Sequence, residues 1–239
     1  GDYDFTLRIG SESKDFKFRL EPENIGIMEQ PRGTLSNIVY DKDGHIIPER
    51  VDILNANTII MDDGFGTEDI FAIVSGSNIK DNRPRVKTYT DTAMKAVFEA
   101  VIMDLNNEYD TEFKVFELQK FLKRGTIPVI DRDSDIIATK EVEFISKLEE
   151  YNRILCEKSV KRLLEDYDNL LDFNYLVVTG GTGASRIDQT REMLRGLSHL
   201  KVLLGNEADP SLSAIYSNAR GYYMAMLLKV QKAAKLAGE

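Results

Sequence analysis

Apolar residues alternate at Phe5, Leu7 and Ile9, pause over Gly10-Ser11-Glu12-Ser13, and alternate again at Phe16, Phe18 and Leu20, which predicts a β-hairpin. Leu35, Ile38 and Val39 give a short helical stripe that Asp41-Lys42-Asp43-Gly44 ends. Two strand-like runs follow, Thr58 to Met61 and Ile70 to Val74, and then a polar link from Ser77 to Arg85. Met94, Val97, Phe98, Val101, Ile102 and Leu105 lie on one face of a helix spanning Thr90 to Tyr109, with Thr90 as its cap. A second helix is expected from Glu112 to Lys123, stopped by Gly125, and short strands at Ile127 to Ile130 and Asp135 to Ala138. The longest helical pattern runs from Glu141 to Tyr167, with Phe144, Ile145, Leu148, Tyr151, Leu155 and Leu163 as its buried stripe and its charges as a solvated face. A strand at Tyr175 to Val178, a helix from Ile187 to Leu197, a strand at Lys201 to Gly205 and a helix from Leu212 to Lys235 complete the chain. Strands alternating with helices make the class α/β.

Two glycine clusters stand out against this pattern. Asp62-Asp63-Gly64-Phe65-Gly66-Thr67-Glu68-Asp69 joins two strands through an acidic turn, and its glycines let backbone approach a ligand closely. Thr67 offers a hydroxyl, and Asp62 can hold a metal-bound water. An ordinary hairpin with an acidic tip has the same local pattern. Downstream, Tyr175-Leu176-Val177-Val178 runs into Thr179-Gly180-Gly181-Thr182-Gly183-Ala184 and then a helix, an order recurrent in nucleotide sites. Neither the Walker A nor the Rossmann motif is present, because both place the glycine turn of the first cluster before a helix.

Together these clusters resemble the actin and heat-shock-chaperone ATPase superfamily, where D-x-G-x-G-T-x-D is the second phosphate loop and a Gly-Gly turn after a strand is the adenosine loop. Ile27 to Leu35, with Gln30 before Pro31, resembles the first connecting helix, and Asn218-Ala219-Arg220-Gly221-Tyr222-Tyr223-Met224 the second. The Gly-Tyr-Tyr form is closest to bacterial plasmid-segregating actins of the ParM type. The superfamily's first phosphate loop has no counterpart before Gln30, so the chain is expected to be the C-terminal part of a longer protein. The resemblance implies an actin-like (ribonuclease H-like) ATPase fold, mainly domain II with remnants of domain I. Residues 1–50 would be a domain I remnant, 51–77 and 173–210 the large subdomain of domain II, 78–172 its inserted small subdomain, and 211–239 the second connecting helix and C-terminus.

The resemblance further implies ATP (or GTP) with Mg²⁺ as cofactors. Asp62 would hold the metal through water and Gln30 would orient the attacking water, the neutral amide adding no charge near the γ-phosphate. Gly64, Phe65, Gly66 and Thr67 would bind the β- and γ-phosphates. Gly180 and Gly181 would allow close approach, Thr182, Gly183 and Ala184 would lie near ribose and base, and Asp69 would order the hairpin. Arg186 reads equally as part of an ordinary helix start. The implied partners are further copies of the chain in a filament and a DNA-binding adaptor protein. A small-molecule kinase of the same superfamily, or a non-catalytic scaffold, remains the alternative.

Composition excludes more than it selects. With 239 residues, 42% apolar and 30% charged, the chain can bury a sizeable core. A formal charge of −9 argues against direct contact with a nucleic-acid backbone. Cys156 is the only cysteine and reads as a half-buried structural thiol in a reduced, cytoplasmic setting. No apolar run reaches the ~18 residues of a membrane span. His45 and His199 are assigned to the surface, without metal-ligand company.

Overall fold

The computed structural model describes residues 1–22, 25–74, 86–132 and 138–237. Its centre is a five-stranded sheet in the order β5-β4-β3-β8-β9, from β3 (Thr58–Asp63), β4 (Glu68–Ile73), β5 (Val86–Tyr89), β8 (Tyr175–Thr179) and β9 (Lys201–Leu204). β3 pairs antiparallel with β4, which pairs antiparallel with β5, whereas β3, β8 and β9 run parallel. β3 and β8 lie in the middle and carry the most continuous buried runs; all five residues of β8 are buried.

Strand period two divides the sheet's side chains between two cores. Ile59, Met61, Ile70, Ala72, Leu176 and Val178 pack against α4 (Ile145–Asp166) and α5 (Gly180–Leu194). Ile60, Tyr175 and Val177 pack on the other face with Ile38 and Val39 of α1 (Gln30–Val39). A separate core joins α2 (Met94–Tyr109), α3 (Val115–Phe121), β6 (Thr126–Asp131) and the start of α4 through Phe98, Leu105, Leu118, Ile127 and Phe144. The first half of α4 thus serves the separate core and its second half, through Cys156, Val160 and Leu163, serves the sheet. Among the described residues no helix is long and apolar enough to cross a membrane.

Several expected boundaries move, each for a local reason. Residues 141–143 are strand rather than helix: β7 (Ala138–Glu143) pairs antiparallel with β6, and α4 starts only at Ile145. Most of the strand expected from Asp135 lies outside the described residues, as does the whole link from Ser77 to Arg85. Thr90 caps nothing; Ala93 occupies the N-cap of α2. α3 starts late because Thr111 and Phe113 donate to Asn106 Oδ1, and Gly125, at φ +76°, follows its end. α5 begins at Gly180 itself, so the glycine cluster is the first turn of the helix instead of a loop before it. α6 (Ser217–Ala237) starts five residues later than expected, after a 3₁₀ turn at Ala214–Tyr216. Cys156 is fully buried rather than half-buried.

The expected hairpin forms as β1 (Asp2–Ile9) and β2 (Glu12–Arg19). Tyr3 stacks on Phe18 and Phe5 on Phe16, yet every residue of the pair except Phe16 is exposed.

Candidate functional site

Asp62 and Asp63 end β3 and therefore point to opposite faces of the sheet. Asp62 turns to the α1 side, where two amides converge on it. Gln30 Nε2 donates to Asp62 Oδ2 at 2.6 Å, and Asn218 Nδ2 donates to the same oxygen at 2.9 Å. Thr34 donates its hydroxyl to Asn218 Oδ1. Among the described residues Asp62 Oδ1 accepts no hydrogen bond. Burial holds the Asp62 carboxyl above its usual range, with the Asn218 amide working in the other direction.

Helix geometry brings Gln30 and Asn218 together. Pro31 suits the first turn of α1, where its missing N–H is not needed, and this starts the helix at Gln30. α1 and α6 cross in such close contact that a Cβ on Gly221 would collide with the Gly33 carbonyl. Arg220, nearly buried, donates to the Asn37 carbonyl and side-chain oxygen and to the Tyr40 carbonyl, fixing α6 along α1.

The hairpin loop is closed by Gly64 N–H donating to Thr67 O at 2.9 Å. Its carbonyls are engaged from outside: Gly64 O accepts from Thr182 Oγ1 at 2.8 Å and Met94 N–H at 3.4 Å, and Phe65 O accepts from Lys95 N–H at 2.7 Å. Among the described residues the N–H groups of Phe65, Gly66 and Thr67 have no protein acceptor, and all three residues are exposed. Consecutive free N–H groups in a glycine turn form a cradle for an anion. Thr67 Oγ1 donates to Asp69 Oδ2 at 2.9 Å and Thr88 donates to the other oxygen, so Asp69 orders the hairpin.

Across from this loop, Gly180 adopts φ +86° and a Cβ there would collide with Asp63 O. Only glycine suits both the backbone and the approach. Gly183 lets α5 close on the sheet, since a Cβ would meet Val178 Cγ1 at 2.7 Å. Gly181 is exposed, Ala184 is half-buried, and Thr182 is buried with its hydroxyl on the hairpin loop. A cavity of about 430 Å³ opens between α2, α3 and α5, lined by Phe65, Phe98, Gln119, Gly181, Ser185 and Ile215 among others. Its size and largely apolar walls suit a small ring system.

Asp63 takes the opposite role to Asp62. It is fully buried and receives Arg186 Nη1 at 2.9 Å, while Glu68, its cross-strand partner, lies 4.0 Å from the same nitrogen. Arg186 also donates to Asn152 Oδ1 and to the Thr92 carbonyl, both at 2.8 Å. Burial pushes the Asp63 carboxyl up to about 8, with Arg186 opposing and Glu68 adding to the rise. Glu68 is raised too, again mainly by burial. Arg186 is thus a buried ionic anchor below the loop, not an ordinary helix start. The signal was its partners' parity: 59, 61, 63 and 68, 70, 72 are the inward positions of β3 and β4, and charged residues occupy two of them.

His45 does have company, contrary to expectation: its ring nitrogen and the carboxylates of Asp41 and Asp43 lie within 4.8 Å of one another. Asp41 Oδ1 accepts the backbone N–H groups of Asp43 and His45, so the cluster orders its own turn. His199 is exposed, with Nε2 3.2 Å from Leu170 O.

No family model and no curated protein sequence matches the chain. Solved structures do, and they give it an actin-like fold of the ParM type. The actin-like protein Alp7A superposes with a TM-score of 0.63 at 16% identity, over 100% of this chain and 62% of its own. A 15-stranded ParM filament from Clostridium botulinum gives 0.59 at 14%, over 95% and 60%. MamK, as a non-polymerising A278D mutant bound to AMPPNP, gives 0.53 at 16%, over 80% and 56%. The chain spans about three fifths of the length of the structures it matches.

Proposed function

We propose that this chain is the nucleotide-holding part of an actin-like ATPase that assembles into filaments according to its bound nucleotide. The observation that carries the reading is the convergence on one cleft of the free N–H groups of the Asp62–Asp69 hairpin, the glycine start of α5, and Gln30 and Asn218 on Asp62. Two of the similar structures, one a ParM filament and one an AMPPNP complex, support it.

The residues fit an ATP (or GTP) with Mg²⁺. Phe65, Gly66 and Thr67 would bind phosphate oxygens through backbone N–H groups, and the cavity beside Gly181 would take the base, with Gly180, Thr182, Gly183 and Ala184 shaping its wall. Asp62 would hold a metal-bound water through Oδ1. When bound, Mg²⁺ supplies positive charge to the phosphate oxygens. Gln30, anchored through Nε2, keeps its amide oxygen for accepting a hydrogen bond from the attacking water. The proposed division keeps residues 51–77 and 173–210 as the large subdomain, with β5 and the second half of α4 packed into it, the rest of 78–172 as the inserted one, and 1–50 with 211–239 as the connecting helices and remnants of the other lobe. The finer reading is a cytoplasmic filament that moves plasmid or phage DNA through an adaptor protein, with no membrane or nucleic acid touched directly.

Sedimentation with Mg·ATP, Mg·ADP or no nucleotide, with released phosphate read in the same tubes, tests this. Pelleting with ATP alone is expected. Phosphate release without pelleting would move the protein to the kinase branch of the superfamily, and neither result would make it a scaffold.

A further inference from the structure

We propose that Asn218 is a positioning residue for Asp62: locked by Thr34, it fixes the carboxylate so that Oδ2 is held and Oδ1 stays open to the cleft. The inference rests on the nucleotide reading above and adds a residue that the sequence pattern marked only as part of a helix.

A carboxylate held by one donor can still rotate about its last bond. Here two donors from different helices, Gln30 on α1 and Asn218 on α6, meet on the same oxygen, which sets the plane of the group. Asn218 itself cannot turn over without cost. Its Nδ2 must face Asp62, because the reverse orientation would set the amide oxygen against a carboxylate oxygen, and the Thr34 hydroxyl then completes the other end. Thr34 is buried and Asn218 half-buried, so water does not readily replace either bond. The tight crossing at Gly33 and Gly221 fixes the register that brings both amides to one atom. Partners that orient a metal-holding carboxylate are worth about 10–100-fold in metal affinity.

The test is binding of a fluorescent ATP analogue to the full chain in Mg²⁺ and in EDTA, with circular dichroism to show folding. Asn218→Ala should weaken binding about tenfold in Mg²⁺, the low end of that range, and leave binding in EDTA unchanged. Thr34→Val, which keeps the side chain's shape and removes only the hydroxyl, should weaken Mg²⁺-dependent binding by a smaller factor, add nothing in the Asn218→Ala background, and be rescued by Thr34→Ser. Equal losses in both media, or no loss in either, would overturn the inference while the nucleotide reading stood. A wild-type chain whose nucleotide binding ignores Mg²⁺ would overturn the metal part of that reading and this inference with it.

Discussion

Asp62 and Asp63 are adjacent, chemically identical and one peptide apart, yet they belong to different machines. Asp62 faces a cleft, takes two neutral amides and leaves one oxygen open. Asp63 faces the α4–α5 core, takes a buried guanidinium and shares it with Glu68. The strand's two-residue period alone makes the assignment. Cleft-facing and core-facing roles are thus separated by which face a residue shares, and a shift of one residue in β3 would exchange them. The pairing also has mechanical content. Arg186 ties Asp63 to the Thr92 carbonyl and Asn152, so the base of the loop is bound to the start of α2 and the first half of α4, while Thr182 binds the Gly64 carbonyl.

The largest effect should come from breaking the structural side. Arg186→Met would leave the buried Asp63, Thr92 and Asn152 acceptors without their donor, at about 1–3 kcal/mol each, so about 3–5 kcal/mol of stability should be lost, read as a fall in the urea midpoint. An unchanged midpoint would mean that the guanidinium does not hold the core. On the cleft side, Asp62→Ala should keep the midpoint within about 1 kcal/mol, because the residue is half-exposed and replaces no core contact. The same variant should lose about a hundredfold in Mg²⁺-dependent phosphate release, roughly 2.7 kcal/mol of barrier. If the two variants behaved alike in both assays, the division between the faces would fail.

This division was only half legible in the sequence. The hairpin, the Gly180 cluster and Gln30 lie in local patterns, and local patterns are what a sequence shows directly. Asn218 and Arg186 take their roles from partners 156 and 123 residues away, through the register of α6 on α1 and of α5 on β3. Charge at the inward positions 63 and 68 was the available clue to Arg186, whereas nothing local distinguishes Asn218 from a solvent-facing helix residue. The displaced boundaries have a similar origin. Glu141 to Glu143 have ordinary helix-forming residues, and only pairing with β6 makes them strand.

A pH series separates the two aspartates. Asp63 has a folded-state pKa raised to about 8 against an ordinary value of 3.8, so between pH 4 and 8 the folded chain holds a proton that the unfolded chain releases. Its contribution to stability is therefore full below about pH 4 and declines as pH rises toward 8. Asp63→Asn mimics the protonated form, keeps an acceptor for Arg186, and removes that decline. Near pH 4 the variant should lie within about 1 kcal/mol of wild type, since both side chains are neutral there. With rising pH the urea midpoint of the variant should fall less steeply than that of wild type, the gap widest at pH 8; Glu68, raised in the same sense, leaves a residual slope in both. Parallel midpoints from pH 4 to 8 would show that Arg186 outweighs burial and keeps Asp63 ionised, which would make the inward face an ion pair rather than a shared proton.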